Sequence, residues 1–271
     1  MSSYIAVQKS AHQNAGYSPM VDFSFAAEMS TVPLLIDELN YVLQQMCVAF
    51  QKRTKGSEDY YELVGLQSFS PGKNSFLLPD GRWLGGYKPA FYRAQPFALQ
   101  PEDQGNQLQL SIKSDCVILD PAVDDLRFFQ EDMELTPRMK EVVKFLTETL
   151  RSRQTTMALC RALQKANLIV PWSFSFSQPD NNNKPQEKMV GGLYHIDSDA
   201  LKALPAEQLT ALNASGALSL AYGQIFSEAR LRDMAKLETA QRQLQQKQVQ
   251  GKSPELDLNA LFGDKDEVFS F

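Results

Sequence analysis

Leu77-Leu-Pro-Asp-Gly-Arg-Trp-Leu-Gly-Gly-Tyr-Lys-Pro-Ala-Phe-Tyr-Arg-Ala-Gln-Pro-Phe-Ala-Leu99 is the stretch on which the reading of this chain turns. It joins a turn signal (Asp80-Gly81), one of the two tryptophans (Trp83), a glycine pair (Gly85, Gly86) and the prolines Pro89 and Pro96. Asp-Gly between apolar runs predicts a turn between strands, since glycine supplies a positive φ and aspartate bonds its own backbone. The rings of Tyr87, Phe91, Tyr92 and Phe97 share the segment with Arg82 and Arg93. Two uses suit that mixture. The rings can fill a core while the arginines pair with acids, or they can line a groove. In the groove, Trp83, Tyr87 and Tyr92 offer flat faces and Arg82 or Arg93 captures a carboxylate of a peptide or another anionic ligand.

Outward from this segment the period-2 signal dominates the N-terminal half. Val48–Gln51, Tyr61–Gln67, Ser75–Leu78 and Phe97–Gln100 read as strands. In 108–113 Leu108, Leu110 and Ile112 alternate with Gln109, Ser111 and Lys113, as on a half-buried strand. Asp22–Ala26 reads as a short strand, and residues 1–21, polar and without period, as a loose arm. One helix is expected there: Thr31 as N-cap, Pro33 in the first turn, and a stripe of Leu35, Leu39, Val42, Leu43 and Met46.

The C-terminal half reads mostly as helix. Thr136-Pro137 opens one with Met139, Val142, Val143, Leu146 and Leu150 on a stripe, and a further helix is expected at about 154–166 with Leu159, Cys160 and Leu163 inward. Trp172–Phe176 and Gly191–Ile196 read as strands. Asp197 or Ser198 caps a short helix, and Pro205 starts another that Gly216 closes or interrupts. A long helix follows at about 217–246 with Leu220, Ile225, Phe226, Met234 and Leu237 partly inward. The fold class is therefore α+β, an antiparallel-rich sheet in the N-terminal half and helices in the C-terminal half. Residues 22–246 form the domain, with a sub-boundary placed near 130–136. Residues 247–271 are a linker and an acidic segment whose Leu258, Leu261, Phe262, Phe269 and Phe271 suit docking on this domain or on a partner.

Composition excludes several roles. A chain of 271 residues with 43% hydrophobic residues buries a real core. A net charge of −5 argues against nucleic acid or an anionic membrane as principal partner. The apolar runs are far short of the roughly 20 residues that span a bilayer. The start, lacking a charged region followed by an apolar one, shows no secretory signal, so a cytoplasmic location is expected. The three cysteines, Cys47, Cys116 and Cys160, suit reduced, buried thiols.

Catalytic constellations are sparse. With only His12 and His195, histidine-based zinc or iron sites are hard to build, although His195-Ile196-Asp197 has the H-x-D spacing of facial-triad iron enzymes. There is no G-x-S-x-G elbow, no dinucleotide fingerprint and no phosphate loop. No catalytic residue, metal or cofactor is assigned. An enzyme built on His195 and carboxylates such as Asp197, Asp199, Asp124 and Asp125 stands as the alternative.

In their order, FSFAAEMSTVPLLIDEL (Phe23–Leu39), YELVGLQ (Tyr61–Gln67), the run from Asn74 to Leu99, and GGLYHIDSDALKAL (Gly191–Leu204) resemble the bacterial SapC-like family over about residues 20–237. The most specific part is D-G-R-W-x-x-G-Y-x-P-A followed by Arg93 and Pro96-Phe97; where the family has a second arginine and an aromatic, this chain has Ala94 and Gln95. The resemblance implies an accessory role beside TonB-dependent receptors, halogenase-like flavoproteins and cupin-type oxygenases. It supplies no catalytic residues. The family's name comes from a surface-layer gene, so a structural surface-layer role is the third alternative.

Overall fold

The structure, a computed structural model, describes residues 3–102, 107–121, 126–179 and 185–249. The α+β class is as expected: antiparallel sheets fill most of the N-terminal half and helices most of the C-terminal half.

The main sheet has five antiparallel strands in the order β3 (Thr31–Pro33), β5 (Glu58–Leu66), β4 (Val48–Lys55), β10 (Pro185–Ile196), β9 (Ile169–Pro179). β4 and β5 pair from Val48↔Gly65 to Lys55↔Glu58, which leaves a two-residue turn at Gly56-Ser57. Gly56 takes φ +63°, the geometry a tight hairpin demands of its first turn residue. Val48, Ala49 and Phe50 are buried on both faces, whereas residues 52–59 are exposed on both, so the hairpin tip projects as a two-stranded ribbon.

Between β4 and β10 the only paired register is Tyr194↔Phe50. Beyond it a side chain completes the ladder. Gln224 accepts from Ile196 N (2.8 Å) and donates to Val48 O (3.2 Å) while fully buried. Ser227 Oγ accepts from Val48 N at 2.9 Å. Both residues belong to α7 (Ala217–Ser227), which lies on β4 and β10 and touches α4 (Pro137–Lys165), itself packed on β5.

A smaller three-stranded sheet, β1 (Tyr4–Ala6), β7 (Leu108–Lys113), β6 (Phe97–Pro101), and a two-stranded one, β2 (Ala15–Tyr17) with β8 (Val117–Leu119), surround a second core of Tyr17, Phe97, Ile112, Phe128, Phe129, Met139 and Leu146. The start of the chain, expected as a loose arm, thus supplies two strands, because Ala15 and Tyr17 bury against that core. α4 is capped as predicted, Thr136 Oγ1 accepting from Met139 N. It is one helix of 29 residues where two were expected: no glycine or proline interrupts 150–154. Met139 and Leu146 enter the second core, and Leu159, Cys160 and Leu163 enter the first. The segment at 130–136, read as a sub-boundary, precedes a helix that serves both cores.

Other expectations are corrected. Thr31–Pro33 is an edge strand, not a helix start; Val32 pairs with Gly65 and Leu34 N donates to Leu63 O. At a sheet edge Pro33 forfeits no ladder bond. The apolar stripe survives only in a short 3₁₀ turn (Ile36–Glu38) and α2 (Leu39–Val42). Asp22–Ala26 is a 3₁₀ turn at Ser24–Ala26, and Ser75–Leu78 keeps one isolated bridge, Leu77↔Trp83. In the C-terminal half, Asp197 caps α5 (Ser198–Lys202), and α6 (Ala206–Ser215) ends at Gly216, whose φ of +83° closes it. The expected long helix is α7, a 3₁₀ turn at Glu228–Arg230, and α8 (Leu231–Val249). Phe226, expected partly inward, is 70% exposed, because Leu220, Gln224 and Ser227 form the buried stripe of α7. Leu258, Leu261, Phe262, Phe269 and Phe271 lie outside the described residues.

Candidate functional site

The 77–99 segment closes on itself around Asp80-Gly81. Leu78 N donates to Arg82 O and Leu84 N to Phe76 O. Arg82 pairs with Asp80 inside the turn (2.7 Å); both side chains are exposed, and such a pair contributes little. Trp83 stacks on Phe76 (centroids 5.3 Å, 17°), meets Tyr92 at 5.1 Å and donates its Nε1 to Tyr87 O at 3.1 Å. Gln45 clamps the Tyr87 backbone from both sides, its amide nitrogen donating to Tyr87 O and its oxygen accepting from Tyr87 N at 3.0 Å.

α3 (Ala90–Arg93) follows Pro89. Tyr92 is buried, its hydroxyl 2.7 Å from the Gln67 amide and 3.4 Å from Asn74 Nδ2, and burial pushes its phenol up to about 12. Trp83 and Tyr92 therefore belong to the core, and Arg82 to the turn. Tyr87 and Arg93 come together, and what joins them is Glu38.

Glu38 sits at the end of the 3₁₀ turn with its side chain 4% exposed. One carboxylate oxygen accepts from Ala90 N and from the Tyr87 hydroxyl (2.9 Å), and it lies 3.8 Å from Arg93 Nη2; the other accepts from Leu35 N at 3.1 Å. Burial outweighs these donors and raises the carboxyl pKa. Tyr87 beside this acid is raised to about 12, by burial first and by the Glu38 charge second. Sequence reasoning passed over Glu38. Its signal was position: three residues after Leu35 and four before Val42, an acid inside the apolar stripe.

The Arg93 guanidinium donates to the Tyr87 hydroxyl (2.7 Å) and to Lys88 O (3.0 Å). It also lies over two rings, 5.2 Å from the Tyr87 centroid and 5.0 Å from that of Phe145 on α4. Tyr41 stacks on Tyr87 at 5.1 Å and 13°. Tyr41, Tyr87, Arg93 and Phe145 thus form a connected set of planar groups at the surface, with Tyr41 57% exposed and the Arg93 side chain 42%.

This geometry carries the run that marks a family. A model of SapC matches residues 7–234. The chain belongs to the SapC family. Comparisons with curated proteins and with solved structures give no match. No helix among the described residues is long and apolar enough to cross a membrane. Where the SapC-like run departs, at Ala94 and Gln95, Ala94 packs against the second core and Gln95 Oε1 accepts from the Tyr4 hydroxyl at 3.0 Å.

The histidines are placed apart. His12 bonds Gln8 in the first helical turn. His195 stacks flat on Trp172 (5.1 Å, 5°), and its Nδ1 meets Glu228 at 3.0 Å. The nearby aspartates serve elsewhere: Asp197 caps α5, and Asp199 pairs with Lys202 at 3.1 Å. Among the described residues no group of three or more His, Cys, Asp or Glu is arranged to hold a metal ion. Burial pushes the Cys47 and Cys160 thiols up to about 12 and raises that of Cys116, so all three favour the neutral thiol.

Proposed function

We propose that this SapC protein is a non-catalytic accessory protein that recognises a peptide or partner protein through the surface centred on Tyr87 and Arg93. The observation that supports it is the Tyr41–Tyr87–Arg93–Phe145 stack. Tyrosine and arginine carry much of the energy at protein interfaces, and they do so best when held in place before binding. Here the Tyr87 hydroxyl and the Lys88 carbonyl fix the guanidinium, and Gln45 fixes the Tyr87 backbone. The partner is sought first among products of neighbouring TonB-receptor, halogenase-like or cupin-like genes, in the cytoplasm. Co-expression of the tagged protein with each, followed by purification of the complex, is the test. A complex abolished by Tyr41→Ala with Arg93→Gln in a folded variant supports the reading. A complex indifferent to those changes, or none with any such product, ends it.

A second reading, an enzyme using His195, has one observation in its favour: Glu228 orients the imidazole from Nδ1. Ser227 Oγ next to that acid is committed to the Val48 backbone and fully buried, so it is no ready nucleophile. Activity on any substrate that His195→Ala removes from the folded protein would favour this reading.

A further inference from the structure

Between β3, β5, α3 and α4 lies a cleft that no side chain of the described residues fills. Its volume is about 90 Å³. Leu34, Leu63 and Cys160, each nearly fully buried, line it deep in the fold; Leu35, Phe91 and Met157 add partly exposed apolar surface. Protein interiors pack densely, and voids larger than a water molecule are few. An apolar void of this kind does not gain by taking up water, which needs polar partners, whereas a larger engineered apolar cavity of about 150 Å³ takes up benzene. This one matches a branched aliphatic group.

Two charged groups are among its lining. Glu62 and Arg153 line the cleft, and the Glu62 carboxylate is met from both flanks, by Arg53 Nε at 3.0 Å and by Arg153 Nη2 at 3.4 Å. Two guanidinium groups share one carboxylate there, and the Arg153 side chain is 59% exposed. An apolar end and a negative head are therefore both provided for. The nearly fully buried Cys160 side chain makes the deep wall an apolar surface.

We propose that this cleft binds a compact hydrophobic monocarboxylate, its branched hydrocarbon end against Leu34, Leu63 and Cys160 and its carboxylate at Arg153. The proposal does not rest on the recognition surface at Tyr87 and Arg93. That chemistry is offered equally by a free short-chain acid and by the C-terminal leucine of a peptide.

The test is ligand-detected saturation-transfer NMR on the full chain, with isocaproate, with its uncharged counterpart isohexanol, and with acetyl-triglycyl-leucine. Isocaproate or the peptide should bind at millimolar concentration, the tighter of the two identifying the source. Arg153→Gln should weaken that binding about tenfold and bring isocaproate level with isohexanol, the size expected for one charge-assisted contact. Cys160→Leu, which fills the deep end, should abolish it; if that variant does not fold, Thr149→Phe at the partly exposed wall serves the same purpose. Absence of binding by both acids overturns the proposal. So does binding that survives the filling variant, or equal affinity for acid and alcohol in the unaltered protein.

Discussion

Glu38→Ala is the perturbation that most directly probes the site. The carboxylate serves four donors: Leu35 N, Ala90 N, the Tyr87 hydroxyl and the more distant Arg93. Ala90 is fully buried, so its orphaned N–H costs about 1–3 kcal/mol. Leu35 and Tyr87 are half-buried, and water reaching them reduces each loss to about 1 kcal/mol. Loss of the 3.8 Å contact to Arg93 adds little, because that guanidinium keeps Lys88 O and solvent. The sum is about 3–5 kcal/mol, read at neutral pH as the drop in unfolding free energy by urea titration. A loss below about 1 kcal/mol would refute the view that Glu38 organises Tyr87 and Arg93. The pH dependence is a second handle. Burial raises the Glu38 pKa above its ordinary value near 4.5, so the folded state holds this proton more tightly than the unfolded one. The associated stability is present below pH 4.5 and is lost as the pH rises through the raised folded value. Measured against Glu38→Gln, the wild-type advantage should shrink over that range; an advantage that grows with pH would contradict burial as the dominant cause.

Two further outcomes follow from buried groups elsewhere. Gln224→Ala strips the partner from Ile196 N inside the sheet, while Val48 O keeps the Ser227 hydroxyl at 3.3 Å, and should cost about 1–3 kcal/mol, with amide exchange quickened at Ile196; an unchanged urea midpoint would show that the ladder does not need the side chain. Cys47 and Cys160, with thiols pushed up to about 12, should resist iodoacetamide at pH 8 until the chain unfolds, and rapid alkylation of either in the native protein would be the contrary result.

Local signals carried most of the fold. The strand at 108–113, the Thr136-Pro137 start and the Asp197 cap each reflect chemistry within a few residues, and each is where the sequence places it, although burial in the strand does not alternate: Leu108 is exposed and Ser111 is buried beside Ile112. The misplacements share another cause. At 31–33 a helical stripe competed with an open edge of β5, and strand pairing to Leu66, Gly65 and Val64 prevailed. At residues 4–17 short polar segments gained order from a core assembled by residues far along the chain, such as Phe97, Ile112 and Phe128. The site was legible in composition and not in geometry. The rings and arginines of 77–99 announced themselves, but Arg82 turned to its own Asp80, and Trp83 and Tyr92 turned inward. Glu38 and Phe145, which complete the surface, come from segments about fifty residues to either side of Tyr87 and Arg93, where no spacing rule connects them. Glu228 reached His195 in the same non-local way.

The position of the stack explains how one short segment can serve both fold and surface. Tyr87 packs with the first core and Phe145 with the second, and Arg93 lies over both rings. Within the same segment Tyr92 enters the first core, whereas Ala94 and Phe97 face the second. The run is thus a seam between two cores that α4 also crosses. At a seam the inner side chains are fixed by packing, and the outer ones inherit that order without being buried. A cation there gains from two aromatic faces and a buried carboxylate while remaining reachable, a combination that neither core alone provides. Phe145→Ala should therefore leave Glu38 and Tyr87 bonded but free the guanidinium on one side. If partner binding depends on a preordered Arg93, that variant loses affinity with little loss of stability, because Phe145 is only partly buried.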